Sequence, residues 1–307
     1  MLRATIIAAS RSPRCRSLVE GFPPVRPIVD RFVAGTTVSD ALRVTTRLAD
    51  DRYVTLDHLG ENTGSREQAT ETVLAYETAI RAIADEGLAA RAEVSVKLSS
   101  LGLTLPVDGP KVALDNTRRI CAAAEAAGTT VTVDMEDHTS TDRTLSIVNQ
   151  LRVDHPWTGT VLQAYLRRTE ADCAALAGPR SRVRLCKGAY AEPADVAYQR
   201  KSDVDASYVR CLKLLIDGEG YPMIATHDPR LIAIAETLVA RSGRPHGSYE
   251  FQFLYGIRVS DQRRLAAEGH RVRVYVPYGS EWYPYFVRRI GERPANLAFF
   301  ARALAGG

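Results

Sequence analysis

Eight short apolar runs recur along this chain, separated by stretches about as long as a helix, and most end in a polar residue capable of chemistry. They read YVTLDHL from Tyr53, EVSVKL from Glu93, TVTVDME from Thr130, GTVLQAY from Gly159, RVRLCKG from Arg182, PMIATHD from Pro222, YEFQFLYG from Tyr249 and VRVYVPYG from Val272. Several intervening stretches carry amphipathic helical patterning, so strand and helix alternate as in a parallel α/β protein. Eight such units close a (β/α)8 TIM barrel, whose active site is built from the carboxyl ends of the strands and the loops after them. The runs therefore nominate Asp57 and His58, Lys97, Asp134, Gln163, Arg184 and Lys187, Thr226 and His227, Gln252, and Tyr275.

At 307 residues the chain is about as long as one decorated barrel and can bury a large core without staples. Its net charge of +4 comes with arginines scattered through the helical stretches, which is no nucleic-acid footprint and suits at most a weak preference for anionic surfaces. The five cysteines, Cys15, Cys121, Cys173, Cys186 and Cys211, form no CxxC pair and leave an odd one over. That argues against a disulfide framework and a zinc knuckle, and a reducing cytosol is the expected home. No apolar stretch is long enough to span a bilayer, and ATIIAAS is too quickly followed by Arg11, Arg14 and Arg16 for a signal peptide. Any membrane contact is expected to be peripheral, on the inner face.

Residues 1–50 differ from the rest and read as an N-terminal helical arm packed on a barrel domain of residues 51–307. FPPVRP, from Phe22 to Pro27, breaks the arm, and Thr37 to Ala49 is patterned as a helix with a cap near Ser39. A helix from Ser65 to Asp85 opens on a Ser65-x-x-Gln68 capping box, and one from Pro110 to Ala127 stops at Gly128. The stretch from Pro193 to Gly218 exceeds an ordinary crossover, which predicts either an extra helix or one long helix after an irregular turn near Ala191 and Glu192. A last helix runs from Glu281 to about Gly291, is interrupted near Pro294 and resumes from Asn296 to Leu304.

On that last helix Tyr285, Arg288, Arg289 and Glu292 recur at three- and four-residue spacings, so one face presents two guanidinium groups, a phenol and a carboxylate. Adjacent arginines can form a fork for a carboxylate or phosphate. The bland alternative is a solvated face with an Arg288–Glu292 pair, but the base precedes the acid, the weaker order for a local helix contact. The pattern thus favours a functional arrangement in which Glu292 orients Arg288. Lys97 closes an alternating strand and shares its pleat face with Ser95 and Ser99, so it either points into the barrel mouth or snorkels to solvent.

In TVTVDMEDH, Asp134 shares a face with Thr132 and Glu136, and Asp137 and His138 begin the loop. A metal reading carries low weight, because contiguous acids after a barrel strand more often cap a helix or hold loop amides. RVRLCKGAY sets Arg184 and Cys186 on one face with Lys187-Gly188 at the turn, where backbone amides and an ammonium can approach an anionic group. In IATHDP, Thr226 and His227 sit at a strand tip, and a lone histidine there is more often structural than catalytic. No GxGxxG follows a strand, so a Rossmann-bound nicotinamide is not expected.

Taken together, VSVKLSSLG, VTVDMEDHT, RLCKGAY, ATHDPRL, YEFQFLYGIR, RVYVPYG and YFVRRIGE, in this order and spacing, resemble proline dehydrogenase, the flavoenzyme family of proline catabolism. The likeness runs from about Asp57 to Leu297 and is to the short monofunctional bacterial form, with no aldehyde dehydrogenase domain expected to follow. The resemblance implies a distorted barrel that holds FAD at its carboxyl face, oxidises L-proline to Δ1-pyrroline-5-carboxylate as the first step toward glutamate, and passes electrons to a membrane quinone. A separate pyrroline-5-carboxylate dehydrogenase would then be a functional partner. By motif, Lys97, Arg288 and Arg289 correspond to residues that hold the substrate carboxylate, and Tyr275, Tyr285 and Leu254 to the lining of the proline pocket. Asp134 and Arg184 correspond to active-site groups, the arginine beside the flavin. FAD contacts correspond to Met135, Gln163, Arg184, Lys187, Gly188, Ala189, Thr226 and His227, together with Tyr190 and Gln252. No metal is implied, and roles for Asp57 and His58 stay open.

Two other classes compete. Lys97 and Lys187 stand where Schiff-base lysines of barrel lyases and aldolases act. A barrel kept as a non-catalytic proline-binding module would use the same arginine face without turnover.

Overall fold

The computed structural model of the chain describes residues 26–60 and 63–291. Glu292, the break near Pro294, the resumed helix from Asn296 and the first part of the arm lie outside the described residues.

All eight apolar runs are strands: β1 Tyr53–His58, β2 Ala92–Val96, β3 Val131–Val133, β4 Gly159–Gln163, β5 Arg182–Cys186, β6 Tyr221–Ala225, β7 Glu250–Leu254 and β8 Val272–Tyr278. Each pairs in parallel with the next, and β1 pairs with β8, which closes the barrel. The register at the closure sets Thr55 beside Tyr275 and Asp57 beside Pro277.

Alternation within the strands decides what the barrel contains. Val54 and Leu56, Val94 and Val96, Val131 and Val133, and Val274 and Val276 all belong to one apolar cluster with the helices. Val183 and Leu185, Ile224, and Phe251 and Phe253 do the same on the opposite side. Burying each such side chain contributes about 1.5–3 kcal/mol. The intervening positions face the interior, and there the chain places Asp57, Glu93, Ser95, Arg182, Arg184, Glu250, Gln252, Arg273 and Tyr275. A barrel interior more often holds branched aliphatics, so this one is unusually charged.

Two helices precede the barrel, α1 (Arg26–Asp30) and α2 (Val38–Ala49). The cap of α2 is Thr37 rather than Ser39: its hydroxyl accepts from the Asp40 amide while the Asp40 carboxylate accepts from the Thr37 amide. A reciprocal pair outcompetes a lone serine one residue inside the helix. The crossover helices are α3 (Arg66–Asp85), α4 (Gly109–Ala126), α5 (Thr141–Asp154), α6 (Thr169–Ala175), α7 (Lys201–Asp217), α8 (Pro229–Ser242) and α9 (Val259–Ala267). Ser65 caps α3, but the Gln68 side chain accepts from the Gly64 amide at 2.8 Å, so the expected box closes one residue early. Before α7 the chain is irregular and bridges back from Ala197 to Leu166, so the single long helix is the alternative that formed.

The last described element, α10 (Trp282–Gly291), begins one residue later than its sequence pattern suggested. It rests on the arm: Val29, Phe32 and Val33 of the α1 region cluster with Leu59, Tyr283, Tyr285 and Phe286, and the rings of Phe32 and Phe286 lie 6.5 Å apart. The segment after α1 is stitched to the end of β8, with the Ala34 amide donating to the Pro277 carbonyl at 2.9 Å and the Gly279 amide to the Gly35 carbonyl at 3.0 Å. Gly256 passes so close to the Arg31 carbonyl that a Cβ there would overlap it, and its φ of +73° favours glycine independently.

Candidate active site

At the carboxyl end of the barrel six of the nominated strand residues meet. Asp134, just past β3, is their hub. Its Oδ1 accepts from Arg184 Nη1 at 2.5 Å and from Ser95 Oγ at 2.7 Å, and its Oδ2 accepts from the Tyr275 hydroxyl at 2.6 Å. Arg184 Nε donates to Gln252 Oε1 at 2.6 Å, and the guanidinium lies 5.3 Å over the Tyr275 ring. Lys97, one residue beyond β2, donates to both oxygens of Asp57 at 2.7 Å and stands 3.8 Å from Asp134 Oδ2. Lys97 therefore points into the mouth and does not snorkel outward. Asp57 acquires a role that the sequence left open.

Burial pushes the Lys97 pKa down, but the carboxylates of Asp57 and Asp134 outweigh it, and the net shift is upward. For Tyr275, burial and then the Asp134 charge both push the phenol well above its ordinary value, so it keeps its proton and acts as a donor. His58 is held below the ordinary imidazole range by burial, with Asp57 opposing.

One layer deeper, toward the amino end, lies a second charged group. Glu93 pairs with Arg182 at 2.6 Å and with Arg273 at 3.7 Å, and Glu250 pairs with Arg273 at 2.7 Å. Thr55 donates to Glu93 at 2.9 Å. Burial alone would raise the Glu93 pKa, yet Arg182, Arg273 and Arg184 hold it far below the usual carboxylate range. Each layer is balanced: Asp57 and Asp134 against Lys97 and Arg184 above, Glu93 and Glu250 against Arg182 and Arg273 below. Sequence reading missed the lower layer. Its signal was a charged or polar residue at every second position of otherwise apolar strands, as in Glu93-Val94-Ser95 and Arg182-Val183-Arg184.

The remaining nominated residues line the tips of β4 to β7. Gln163 Nε2 donates to the carbonyls of Met135 and Glu136 at 3.3 and 3.2 Å. Lys187 is held between Asp205 at 2.5 Å and Asp228 at 2.9 Å. Gly188 has φ of +107° and lies against the Tyr165 ring, where a Cβ would overlap it, while Ala189 and Tyr190 are exposed. Thr226 Oγ1 accepts from the Asp228 amide at 3.2 Å, and His227 Nε2 accepts from the Leu254 amide at 3.0 Å. The loop that carries Lys187 to Tyr190 is anchored by Glu192, which accepts from the His138 amide at 3.0 Å and the Tyr165 hydroxyl at 3.2 Å and also contacts the His138 ring.

Ser99 and Glu136 do not extend the strand faces assigned to them. β2 and β3 have ended, and Ser99 in the following 3-10 turn donates to Glu136 at 2.5 Å. The acids and histidine from Asp134 to His138 are drawn apart by these partners. Among the described residues, the side chains whose ligand atoms converge are Glu236, Glu268 and His270, at the far end of the barrel, and Arg264 already pairs with both of those glutamates.

On α10, Tyr285 is buried and Arg289 stacks 5.3 Å over its ring, while Arg288 is exposed and within electrostatic reach of Tyr190. Arg288 thus stands near the loop after β5.

The sequence pattern of the proline dehydrogenase family matches residues 41–302. The chain is 39% identical to a proline dehydrogenase of Deinococcus radiodurans over 312 residues, covering 100% of this chain and 99% of that one. It is 42% identical to proline dehydrogenase 1 of Bacillus subtilis strain 168 over 275 residues, 89% of each. Among solved structures, proline utilization A from Bdellovibrio bacteriovorus superposes with a TM-score of 0.79 at 25% identity, and that from Bradyrhizobium japonicum with 0.71 at 26%. The matches cover 87% and 89% of this chain but only 32% and 31% of those longer chains.

Proposed function

Since the chain belongs to the proline dehydrogenase family and is an enzyme with that family's barrel, we propose that it oxidises L-proline to Δ1-pyrroline-5-carboxylate with FAD bound across the carboxyl end of the strands. The observation that carries the proposal is the convergence of Lys97, Asp134, Arg184 and Tyr275 at that end, each from the motif the family shares. The residues present fit a flavin. Two buried polar atoms beneath the mouth, Gln163 Oε1 and Arg184 Nη2, have no hydrogen-bond partner among the described residues. An isoalloxazine edge offers both a ring N–H to donate and ring acceptors. The left-handed glycine at 188 lets backbone approach closely where a side chain could not fit.

Met135, Gln163, Arg184, Lys187, Gly188, Ala189, Tyr190, Thr226, His227 and Gln252 would hold the cofactor. FAD, when bound, accepts the hydride from the substrate ring carbon. The chain's own task is to fix the two reacting atoms and exclude water. The proline carboxylate is clamped by Arg288, Arg289 and Lys97, and the ring packs on Tyr275, Tyr285 and Leu254. Lys97 is already paired with Asp57, and the adjacent guanidinium groups of α10 offer the planar donors that a carboxylate takes. Asp134 sets the direction of Arg184 and Tyr275, and because the Tyr275 proton is donated to Asp134, the phenol meets the substrate through its ring and its oxygen lone pair.

The raised Lys97 pKa speaks against Schiff-base chemistry, which needs a depressed one. A quinone as electron acceptor, coupling to a separate pyrroline-5-carboxylate dehydrogenase, a cytoplasmic setting and peripheral membrane contact complete the proposal. No helix among the described residues is long and apolar enough to cross a membrane. The visible spectrum of the purified chain tests the core of the reading. A flavin band that bleaches on adding proline is expected, and a colourless protein that gains no proline-dependent dye reduction on FAD addition overturns it.

A further inference from the structure

Gln252 in β7 is held between two groups of fixed hydrogen-bonding character. Its amide nitrogen donates to Glu250 Oε1 at 2.5 Å, and its amide oxygen accepts from Arg184 Nε at 2.6 Å. An ionised carboxylate only accepts and a guanidinium only donates. One orientation of the amide therefore satisfies both neighbours, and the reverse sets oxygen against oxygen and N–H against N–H.

Glu250 is itself anchored from other directions. Arg273 Nε donates to Oε1 at 2.7 Å and the Tyr221 hydroxyl to Oε2 at 3.0 Å. Burial alone would raise its pKa, but Arg273 outweighs it and the carboxyl stays ionised through the neutral range. Those two bonds lie in the lower layer, so Gln252 is the route from Glu250 to the site. Arg184 in turn is hydrogen-bonded at two edges, Nε by Gln252 and Nη1 by Asp134 and Ser95, the latter at 3.2 Å, while its Nη2 stands 3.9 Å from Glu93 Oε1 with no hydrogen bond.

The geometry points to Glu250 as a positioning residue for the reaction: by accepting from Gln252 Nε2 it fixes which end of that amide faces Arg184, and so supplies one of the two grips that hold the guanidinium plane. This rests on the reading that Arg184 lies beside the flavin. Without the Nε grip the guanidinium can pivot about Asp134, and its positive charge no longer has one position relative to the ring that is reduced.

Glu250→Gln keeps the volume but replaces the ionised acceptor of the Gln252 amide with a neutral one, so the charge-assisted bond that holds that amide is lost. In the flavin-loaded protein this variant is expected to retain wild-type flavin content and a proline KM within twofold, while kcat falls about tenfold. Two-electron reduction of the flavin should become about tenfold less favourable, a midpoint about 30 mV more negative by spectroelectrochemistry. Gln252→Met should lower kcat and the midpoint in the same way once loaded with flavin, although its flavin affinity is expected to fall as well because Gln252 contacts the cofactor, and the double variant should be no worse than Gln252→Met alone, because both act on one contact. Additive losses would place Glu250's effect in barrel packing and overturn the proposal. If Glu250→Gln yields no folded protein, Gln252→Met carries the test, and an unchanged midpoint and kcat refute it. A wild-type chain without flavin overturns the functional reading and this proposal together. A wild-type flavoprotein whose Glu250→Gln variant is unchanged overturns the positioning role alone.

Discussion

The two charged layers inside the barrel use the same chemistry to opposite ends. Below, the side chains of Glu93 and Glu250 are 1% and 0% exposed, and each is surrounded by donors. Above, Lys97 and Asp134 are 26% and 13% exposed, and Arg184 Nη2 makes no hydrogen bond, its nearest carboxylate being Glu93 at 3.9 Å. A sealed, saturated network has nothing left to offer a ligand. A network with open faces and unmet hydrogen bonds does. Charge inside a barrel therefore does not by itself mark an active site; incomplete satisfaction does.

The sharpest way to break this contrast is Glu93→Ala, which takes from the buried Arg182 guanidinium its carboxylate partner and leaves Arg273 with Glu250 alone. It should cost about 3–5 kcal/mol in urea unfolding, and a loss under 1 kcal/mol would show that the lower layer is not structural. Acid does the same more gently. The folded pKa values of Glu93 and Glu250 are depressed, so their contribution is present above the unfolded carboxylate value of about 4.3 and is lost as pH falls below it. Lys97 in the upper layer has a raised folded pKa, so its contribution is present below the unfolded value of about 10.4 and is lost as pH rises through the folded one. Denaturation midpoints followed toward acid should fall less in Glu93→Gln than in wild type; parallel curves would contradict the assignment.

On the functional side, Arg289→Met should raise the proline KM roughly tenfold to a hundredfold, the loss of about 1.5–3 kcal/mol in a charge-assisted contact. Flavin content and thermal midpoint should hold, and equal loss of flavin and proline binding would remove the carboxylate role. The smallest effect belongs outside both layers: Thr37→Ala should cost about 1 kcal/mol of stability through the α2 cap, with kcat and KM unchanged within about twofold. A kinetic effect from that cap would mean that stability and catalysis are not separable here.

The strands and most of the upper layer were legible because two signals coincide in them. Valine and leucine at alternate positions give the outward face, and a polar residue at the tip, such as Lys97, Asp134 or Tyr275, gives the site. The lower layer was not legible, although Glu93, Arg182, Glu250 and Arg273 stand in plain view. An alternating charge in a strand reads as a solvent face until closure of the sheet turns that face inward. The partners also lie far apart: Glu93 and Arg182 are 89 residues distant. Asp57 was nominated without a role because its partner Lys97 lies on the neighbouring strand, and register is a three-dimensional fact. Which serine or threonine caps α2 was settled by the reciprocal bond from Asp40, a detail that a pattern of caps alone does not rank.

The seating of α10 on α1 has a consequence for the order in which the molecule is completed during synthesis. Phe32 leaves the ribosome early and its partner Phe286 some 254 residues later, by subtraction of their numbers. At about 5–20 residues per second the first waits roughly 13 to 50 s for the second. Throughout that interval Val29, Phe32 and Val33 lack half of their cluster. The arginine helix is thus the last described piece to lock in place, and the segment that receives it is among the first to be made. A released chain truncated just before Trp282 should expose that apolar ledge to chaperones and proteases although it carries all eight strands.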